Sequence, residues 1–347
     1  MCEISRRDML IGTAALLGSA AVEKKARASV RPAEIGKVDL VAPDVYFHEG
    51  NLLQQGHCNN GWIIFEDYVL VIDANFPSGA KEILPKIKAI TDKPIRFALD
   101  THHHGDHAYG NQFWVENGAV PLAHTGVIDE MKRYEGIYSD SKPGRWQEAA
   151  KSREDLKSSR LKPPSLLFPK DLVFDDGKHR VELMYLGVAH THGDALAWLP
   201  KEKILFTGDM CVNGPYNYVG DGNIEKWIAT LDAARKLGAT VVCPGHGPRD
   251  AGSLLEDQQA FFTAIRDMVG AQVKAKKTAD QIRDSVEQLR ESLMTRKQVA
   301  RYVGKDSLVG QVEKAYTEMT GNKFEPKKTS RADRELHAHH HGLSLAV

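Results

Sequence analysis

The chain has 347 residues, of which 42% are hydrophobic, so it can fold as one large domain or two modest ones around a substantial core. Basic residues (Lys plus Arg) and acidic residues (Asp plus Glu) number 46 each, and this balance gives no reason to expect a nucleic acid or a charged membrane surface as partner. The 15 histidines are the compositional outlier, and many of them lie close together in the sequence.

Residues 1–28 contain the three ordered parts of a twin-arginine export signal. The pair Arg6-Arg7 precedes a mildly apolar stretch from Met9 to Val22, and Ala26-Arg27-Ala28 then offers a small-x-small cleavage site. The apolar stretch is too short and too rich in Ala and Gly to remain as a membrane-spanning helix. An ordinary frayed terminus with a chance Arg-Arg pair is the alternative. We therefore predict export to the periplasm or the cell exterior, with no stable membrane insertion of the mature protein.

Residues 38–124 show strand patterns with one clear helix between them. The apolar runs 62–65 and 69–72 are joined by a short polar segment, which predicts a β-hairpin. Ser78 could cap a helix that continues through Ile90, because apolar residues then recur at helical spacing.

Residues 125–165 are charged and helical in character and predict an inserted helical cap, not a separate domain. Residues 223–237 predict a helix, and the pattern is helical again from Ser253 to about Thr320. Strand patterns return between these helical segments, at residues 172–174, 181–185, 195–199, 204–206 and 240–243.

Strands thus come in two blocks, each followed by helices. That order predicts an α/β fold in which two β-layers pack together and helices cover both outer faces, a four-layer αββα sandwich. The predicted organisation is a catalytic domain at 38–250, a C-terminal helical extension at 251–320 and a tail at 321–347. His337 and the run 339–341 in that tail could bind metal weakly, although a flexible tail is the simpler interpretation.

The four cysteines, Cys2, Cys58, Cys211 and Cys243, show no CxxC spacing, so neither a zinc knuckle nor a redox pair is indicated. A disulfide from Cys58 to Cys211 or Cys243 remains open in an oxidising compartment. Small buried thiols are the simpler expectation.

The run from Thr101 to His107, Thr-His-His-His-Gly-Asp-His, follows a short strand pattern at residues 97–99. His102 and His104 are two apart on an extended segment, so they point the same way and can hold one metal between them. A helix that begins near Gly105 would turn Asp106 and His107 toward a second metal position. Imidazole and carboxylate ligands suit Zn²⁺ or Fe.

Three further candidates for the same site each follow a predicted strand. His190 follows residues 186–189, Asp209 ends the strand that begins at 204, and His246 lies in Pro244-Gly245-His246-Gly247. Strand ends of layered α/β folds are where functional sites concentrate, so these side chains can complete two metal sites.

With these four motifs in order, residues 40–250 resemble the metallo-β-lactamase-fold hydrolases, whose HxHxDH signature matches in one register only. The resemblance implies the αββα sandwich of that type and a centre of two divalent metal ions, with Zn²⁺ expected first and Fe or Mn as alternatives. It implies that Asp73 supports the metal ligands without binding a metal itself. It assigns metal 1 to His102, His104 and His190, metal 2 to Asp106, His107 and His246, and a bridging position to Asp209.

The resemblance also implies a reaction. A metal-bridging hydroxide would attack the carbonyl of a small-molecule ester, lactone, thioester or amide, and Asp106 would be the catalytic residue that orients the proton of the nucleophile. Many zinc β-lactamases have Cys or Ser where this chain has Asp209. The ligand set is therefore more similar to glyoxalase II and lactonases, and β-lactam hydrolysis is the alternative.

Functions of other classes fit less well. Oxygen-reducing diiron relatives have a glutamate where this chain has His104, and no flavin-binding domain is evident. A non-catalytic binding module would be expected to have lost ligands, whereas all seven are retained. Nucleic-acid processing fits poorly with an export signal and a balanced charge.

Five neighbouring residues have open roles at this stage. We expect His103 to support the site without binding metal. Asp194 could bond a ligand histidine or simply stabilise a turn. His57 lies in a turn and could contact substrate, while Tyr216 and Tyr218 could form a substrate wall or only pack within their loop.

Overall fold

The structure is a computed structural model that describes residues 35–135, 143–304 and 307–324. The predicted export signal and the histidines of the C-terminal tail lie outside the described residues. Export therefore stays a prediction. Within the described ranges, no helix is both long and apolar enough to cross a bilayer.

The first sheet of the described chain has seven strands, which are hydrogen-bonded in sequence order. A hairpin joins the third and fourth strands, as the apolar runs predicted, and the last four strands run parallel. The strands are β1 Val38–Ala42, β2 Val45–His48, β3 Asn60–Ile64, β4 Val69–Ile72, β5 Ile95–Asp100, β6 Val120–His124 and β7 Leu166–Phe168.

The second sheet has six strands in the order β13-β12-β11-β10-β9-β8, with β11 and β12 parallel and the other pairs antiparallel. The short strands β7 and β13 were not predicted. The strands of this sheet are β8 Asp171–Asp175, β9 Arg180–Met184, β10 Leu196–Leu199, β11 Ile204–Gly208, β12 Val241–Pro244 and β13 Asp250–Ala251.

Side chains that alternate along the strands bury both faces of each sheet. In β3, Ile63 packs between the sheets, whereas Trp62 packs on the opposite face against helices. In the second sheet, Phe206 lies in the inter-sheet core and Leu205 packs against the C-terminal helices. Apolar side chains on both faces require cover on both sides. The predicted four-layer sandwich is therefore confirmed.

Helices cover the outer faces, form the insertion between β6 and β7, and continue beyond the second sheet. The helices before the insertion are α1 Leu52–Gln55, α2 Pro77–Lys88, α3 Gly105–Ala108 and α4 Asn111–Glu116. The insertion contains α5 Thr125–Tyr134, α6 Arg145–Ala150 and α7 Glu154–Lys157. The remaining helices are α8 Ile224–Arg235, α9 Ser253–Lys274, α10 Ala279–Asp284, α11 Val286–Met294, α12 Lys297–Ala300 and α13 Ser307–Thr320.

The predicted start of α2 was wrong. The helix begins at Pro77, whose fixed φ suits the first helical position, and its N-cap residue Phe76 makes no side-chain capping bond. Ser78 lies inside the first turn, and its hydroxyl donates to Asp155 Oδ2 at 2.6 Å. The helix ends at Lys88, before the predicted end at Ile90.

The cysteines Cys58, Cys211 and Cys243 are buried free thiols, so neither of the possible disulfides is formed. Burial raises the pKa of Cys58, although His107 opposes it. These thiols therefore behave as small apolar groups, as the simpler expectation stated.

Candidate metal centre

Loops that follow five strands, β4, β5, β9, β11 and β12, carry the polar side chains of the site. Strand β5 ends at Asp100, directly before Thr101, and the backbone N–H and the hydroxyl of Thr101 donate to Asp73 Oδ1 at 3.0 and 2.6 Å. Asp73 follows β4 and has a φ of 65°, a left-handed conformation that costs free energy and persists only where the surroundings enforce it. This strained turn anchors the start of the histidine run.

The short helix α3 begins at Gly105, as predicted, and turns Asp106 and His107 into the interior. Asp73 Oδ2 lies 3.0 Å from His107 Nδ1. That contact leaves His107 Nε2 as the nitrogen that faces the site. Asp73 therefore holds both ends of the histidine run, which is the supporting position that the sequence resemblance implied for it.

Three imidazoles form the first cluster: His102 and His190 are buried, and the side chain of His104 is 12% exposed. His104 Nδ1 lies 3.1 Å from His102 Nε2 and 2.8 Å from His190 Nε2. In a tetrahedral zinc site with Zn–N bonds of about 2.0–2.1 Å, neighbouring nitrogens are about 3.3 Å apart. The three nitrogens are thus spaced as ligands of one ion would be, and these residues could hold one metal.

A second cluster contains Asp106, His107 and His246, all buried. Asp106 Oδ2 lies 3.1 Å from His246 Nε2 and 3.4 Å from His107 Nε2. The two imidazole nitrogens are themselves 3.4 Å apart. This set could hold a second metal.

Asp209 lies between the two clusters. Its Oδ2 is 3.6 Å from His190 Nε2 in the first cluster and 3.3 Å from His246 Nε2 in the second. The preceding residue, Gly208, has a φ of 49°, and a Cβ there would lie 2.4 Å from Thr101 Oγ1. Only glycine lets the end of β11 come this close to the histidine run, and this contact brings Asp209 between the clusters.

The electrostatics of the two clusters fit metal ions. Burial lowers the pKa of His102 well below its usual value and that of His190 to about 3, so neutral imidazoles present lone pairs to one another. In the second cluster burial opposes protonation, but Asp209 and Asp106 raise the pKa of His246 to about 9. Protons therefore balance the two carboxylates in the metal-free protein, and a divalent ion would replace them.

The orientations of the carboxylates agree with this interpretation. Asp106 Oδ2 and Asp209 Oδ1 are buried and close to imidazole nitrogens, yet within the described residues neither has a hydrogen-bond partner of good geometry. Buried carboxylate oxygens are normally hydrogen-bonded or bound to metal. Atoms that point at a common centre instead of at each other are expected of metal ligands.

Comparison with known proteins decides the family. The sequence model of the Metallo-beta-lactamase superfamily matches residues 53–246, which is more than half of the 347-residue chain and includes all seven of the clustered side chains. The chain belongs to the metallo-beta-lactamase superfamily. It is accordingly a metal-dependent hydrolase.

Relatives within the superfamily support the assignment. The chain is 35% identical over 207 residues to a metallo-beta-lactamase type 2 of Bacteroides fragilis, a match that covers 57% of this chain and 72% of that protein. It is 24% identical over 212 residues to a metallo-beta-lactamase type 2 of Pseudomonas aeruginosa, with 57% and 74% covered. A solved metallo-beta-lactamase from Pontibacter korlensis matches in fold with a TM-score of 0.54, at 19% identity, over 65% of this chain and 98% of that one.

Beside the two clusters, the structure shows a carboxylate that the sequence did not predict. Asp221 Oδ2 lies 2.8 Å from His104 Nε2 and 3.5 Å from His103 Nε2, and Arg145 pairs with both oxygens of the same carboxylate. Burial opposes ionisation, but these hydrogen bonds, that of Arg145 first, hold the pKa of Asp221 far below its usual value. The only sequence signal was the pair of glycines that flank Asp221.

The structure shows the contacts of three residues whose roles were open. His103 is buried and faces Asp221, away from the clusters, as expected for a supporting residue. Within the described residues, Asp194 forms no hydrogen bond with a clustered histidine. It accepts hydrogen bonds from the backbone N–H and hydroxyl of Thr191, which is the turn role. His57 is buried and lies 2.8 Å from the Ser78 hydroxyl.

Two tyrosines from the loop after β11 flank the clusters. The ring of Tyr218 lies 5.6 Å from that of His104, and the ring of Tyr216 lies 6.0 Å from that of His246. Tyr218 is 44% exposed, so its ring lies beside the first cluster at the protein surface. A role of this pair as a substrate wall stays a prediction.

Proposed function

We propose that this protein is a dinuclear metal-dependent hydrolase of small molecules with an activated carbonyl. One ion would be held by His102, His104 and His190, the other by Asp106, His107 and His246, and Asp209 would contact both. The observation that carries the proposal is the position of Asp209, within 3.3 to 3.6 Å of one imidazole nitrogen from each cluster. Zinc is the metal we expect first, because the donors are imidazoles and carboxylates at tetrahedral spacing.

Two bound divalent ions would supply a hydroxide at neutral pH and polarise the carbonyl under attack. The protein's own contribution is orientation. Asp106 offers Oδ2 to the second cluster and is positioned to accept and hold the proton of the nucleophile. Tyr218 and Tyr216 border the two clusters and would orient the substrate by apolar contact.

Two substrate groups are supported by different observations. The carboxylate of Asp209 favours esters, lactones and thioesters, by the resemblance to glyoxalase II and lactonases. The relatives named metallo-beta-lactamases favour a β-lactam, which is a strained amide. The centre suits both groups because each presents a carbonyl carbon to the nucleophile. We propose that the reaction takes place after export, as residues 1–28 predict.

A hydrolysis panel distinguishes these groups. Purified zinc-loaded protein would be offered nitrocefin, an acyl-homoserine lactone, a thioester and an aryl ester, each before and after chelation. Chelator-sensitive turnover of nitrocefin alone would assign a β-lactamase, and turnover of the lactone or esters without nitrocefin would assign the other group. Turnover that survives complete metal removal would contradict the proposal.

The chain offers a matched pair of histidine variants for this assay. His102→Ala removes a buried ligand of the first cluster and should abolish turnover and reduce the metal content. His192→Ala removes a histidine with a 45% exposed side chain that belongs to neither cluster, and it should leave both unchanged. A His102→Ala protein with full turnover and full metal content would refute the ligand assignment.

A further inference from the structure

The helical insertion contacts the histidine run through two side chains. Tyr134 is the last residue of α5, and its ring stacks on His103 with centroids 5.5 Å apart and planes inclined by 14°. Arg145 is the first residue of α6, and its guanidinium lies 3.9 Å from the centroid of the same tyrosine ring. Tyr134 is therefore sandwiched between the histidine run and the start of α6.

Arg145 also reaches the metal centre through Asp221. Its Nη1 donates to Asp221 Oδ2, and its Nη2 donates to Oδ1 at 2.9 Å, a two-point contact that fixes the plane of the carboxylate. The side chain of Asp221 is only 3% exposed. Because removing one partner of a buried ion pair leaves an uncompensated charge, the carboxylate depends on Arg145.

The fixed carboxylate in turn determines which nitrogen of His104 is free. Asp221 Oδ2 lies 2.8 Å from His104 Nε2, so the ring proton belongs on Nε2. The lone pair is then on Nδ1, the atom that lies 2.8 Å from His190 Nε2 in the first cluster. Rotation of the Asp221 carboxylate would release this orientation.

We propose that Arg145 is a positioning residue for the first metal and that the insertion controls the affinity of that site through the chain Arg145, Asp221 and His104. This inference rests on the proposed metal centre. It assigns a role to the insertion that is separate from any contact with substrate. Arg145 acts on one cluster only, because Asp221 contacts no ligand of the second cluster within the described residues.

The test is a competition for metal between the protein and a chromogenic chelator, which resolves two dissociation constants without a substrate. Loss of a partner that orients a ligand histidine lowers metal affinity by about 10- to 100-fold. Arg145→Ala should weaken one of the two constants by that factor and leave the other within about twofold. Arg145→Lys should give an intermediate loss, since lysine keeps the charge but not the two-point geometry.

Arg153 provides a matched control in the same insertion. It pairs with Asp155 at 3.1 Å and lies 3.5 Å from the ring centroid of Phe76, so it combines an ion pair with a cation–π contact as Arg145 does. It contacts none of the clustered histidines. Arg153→Ala should therefore leave both dissociation constants unchanged, even if it lowers the thermal stability of the metal-free protein as much as Arg145→Ala does.

The outcomes separate this inference from the proposed function. If the wild-type protein binds fewer than two ions, the proposed function fails. If the wild type binds two and Arg145→Ala binds both with unchanged constants, only the role of Arg145 is refuted. Equal weakening of both constants, in Arg145→Ala or in the milder Arg145→Lys, would also overturn it, because a general loss of structure predicts that pattern.

Discussion

Asp73→Asn tests whether a residue that binds no metal itself contributes to metal binding by holding a ligand histidine in place. Asparagine tolerates the left-handed backbone at this position, and its amide oxygen can keep both hydrogen bonds from Thr101. Its amide nitrogen then replaces the oxygen that lies 3.0 Å from His107 Nδ1. The carboxylate that faces the Nδ1–H group of His107 is then replaced by an N–H donor, and two donors face each other. If the proton of His107 moves to Nε2 instead, the nitrogen that faces the metal can no longer bind it.

The expected magnitude follows from that single contact. Loss of a group that orients a ligand histidine lowers metal affinity by about 10- to 100-fold. The second metal should therefore bind about 10- to 100-fold more weakly, which corresponds to about 1.4–2.8 kcal/mol. Chelator competition measures this directly, and the first metal should be affected far less because His107 belongs to the second cluster.

Asp100→Asn is the matched control. Burial raises the pKa of Asp100 well above its usual value, and its Oδ2 accepts a hydrogen bond from Asn111 at 2.6 Å. The amide oxygen of asparagine can accept the same hydrogen bond, so metal binding should not change. Asp73→Asn with both metal affinities within twofold of wild type would refute the supporting role of Asp73.

Three further predictions test the titration, the core and the metal dependence of stability. Burial raises the pKa of Glu135 to about 7, so the folded protein retains a proton that the unfolded chain loses near pH 4.5. The stabilisation of the folded state is complete below pH 4.5 and falls by up to about 3 kcal/mol as the pH rises toward 7. Glu135→Gln should therefore flatten the melting-temperature profile between these pH values. Phe206→Ala should lower the free energy of unfolding, measured in urea titrations, by about 3–5 kcal/mol because the ring is buried between the sheets. A loss below about 1 kcal/mol would contradict that packing. Chelation should lower the melting temperature and zinc should restore it, because each ion at 100 times its dissociation constant adds about 2.7 kcal/mol.

Most of the seven clustered residues could be predicted from the sequence because they follow a strand pattern closely. His102 to His107 are nearly consecutive, and Asp209 and His246 come at the ends of β11 and β12. The predicted strand before His190 was wrong, since residues 186–189 are loop and β9 ends at Met184. The fold class was predictable for a related reason. Strands such as β3 carry apolar residues on both faces, so cover on both faces was required.

The supporting contacts could not be predicted because they depend on tertiary structure. Asp221 is 117 residues from His104 and 76 residues from Arg145, and no local pattern relates them. The start of α2 was misplaced for a similar reason. Serine is a favoured N-cap residue, but the hydroxyl of Ser78 donates a hydrogen bond to Asp155 of the insertion. In both cases the deciding partner is distant in the sequence.

The central claim is that seven side chains form one site for two metal ions. The most direct test is the metal content per chain of zinc-saturated, dialysed protein, measured by inductively coupled plasma mass spectrometry against amino-acid analysis. The geometry of the two clusters joined by Asp209 predicts two ions per chain. One ion or none after the same treatment would contradict a dinuclear centre.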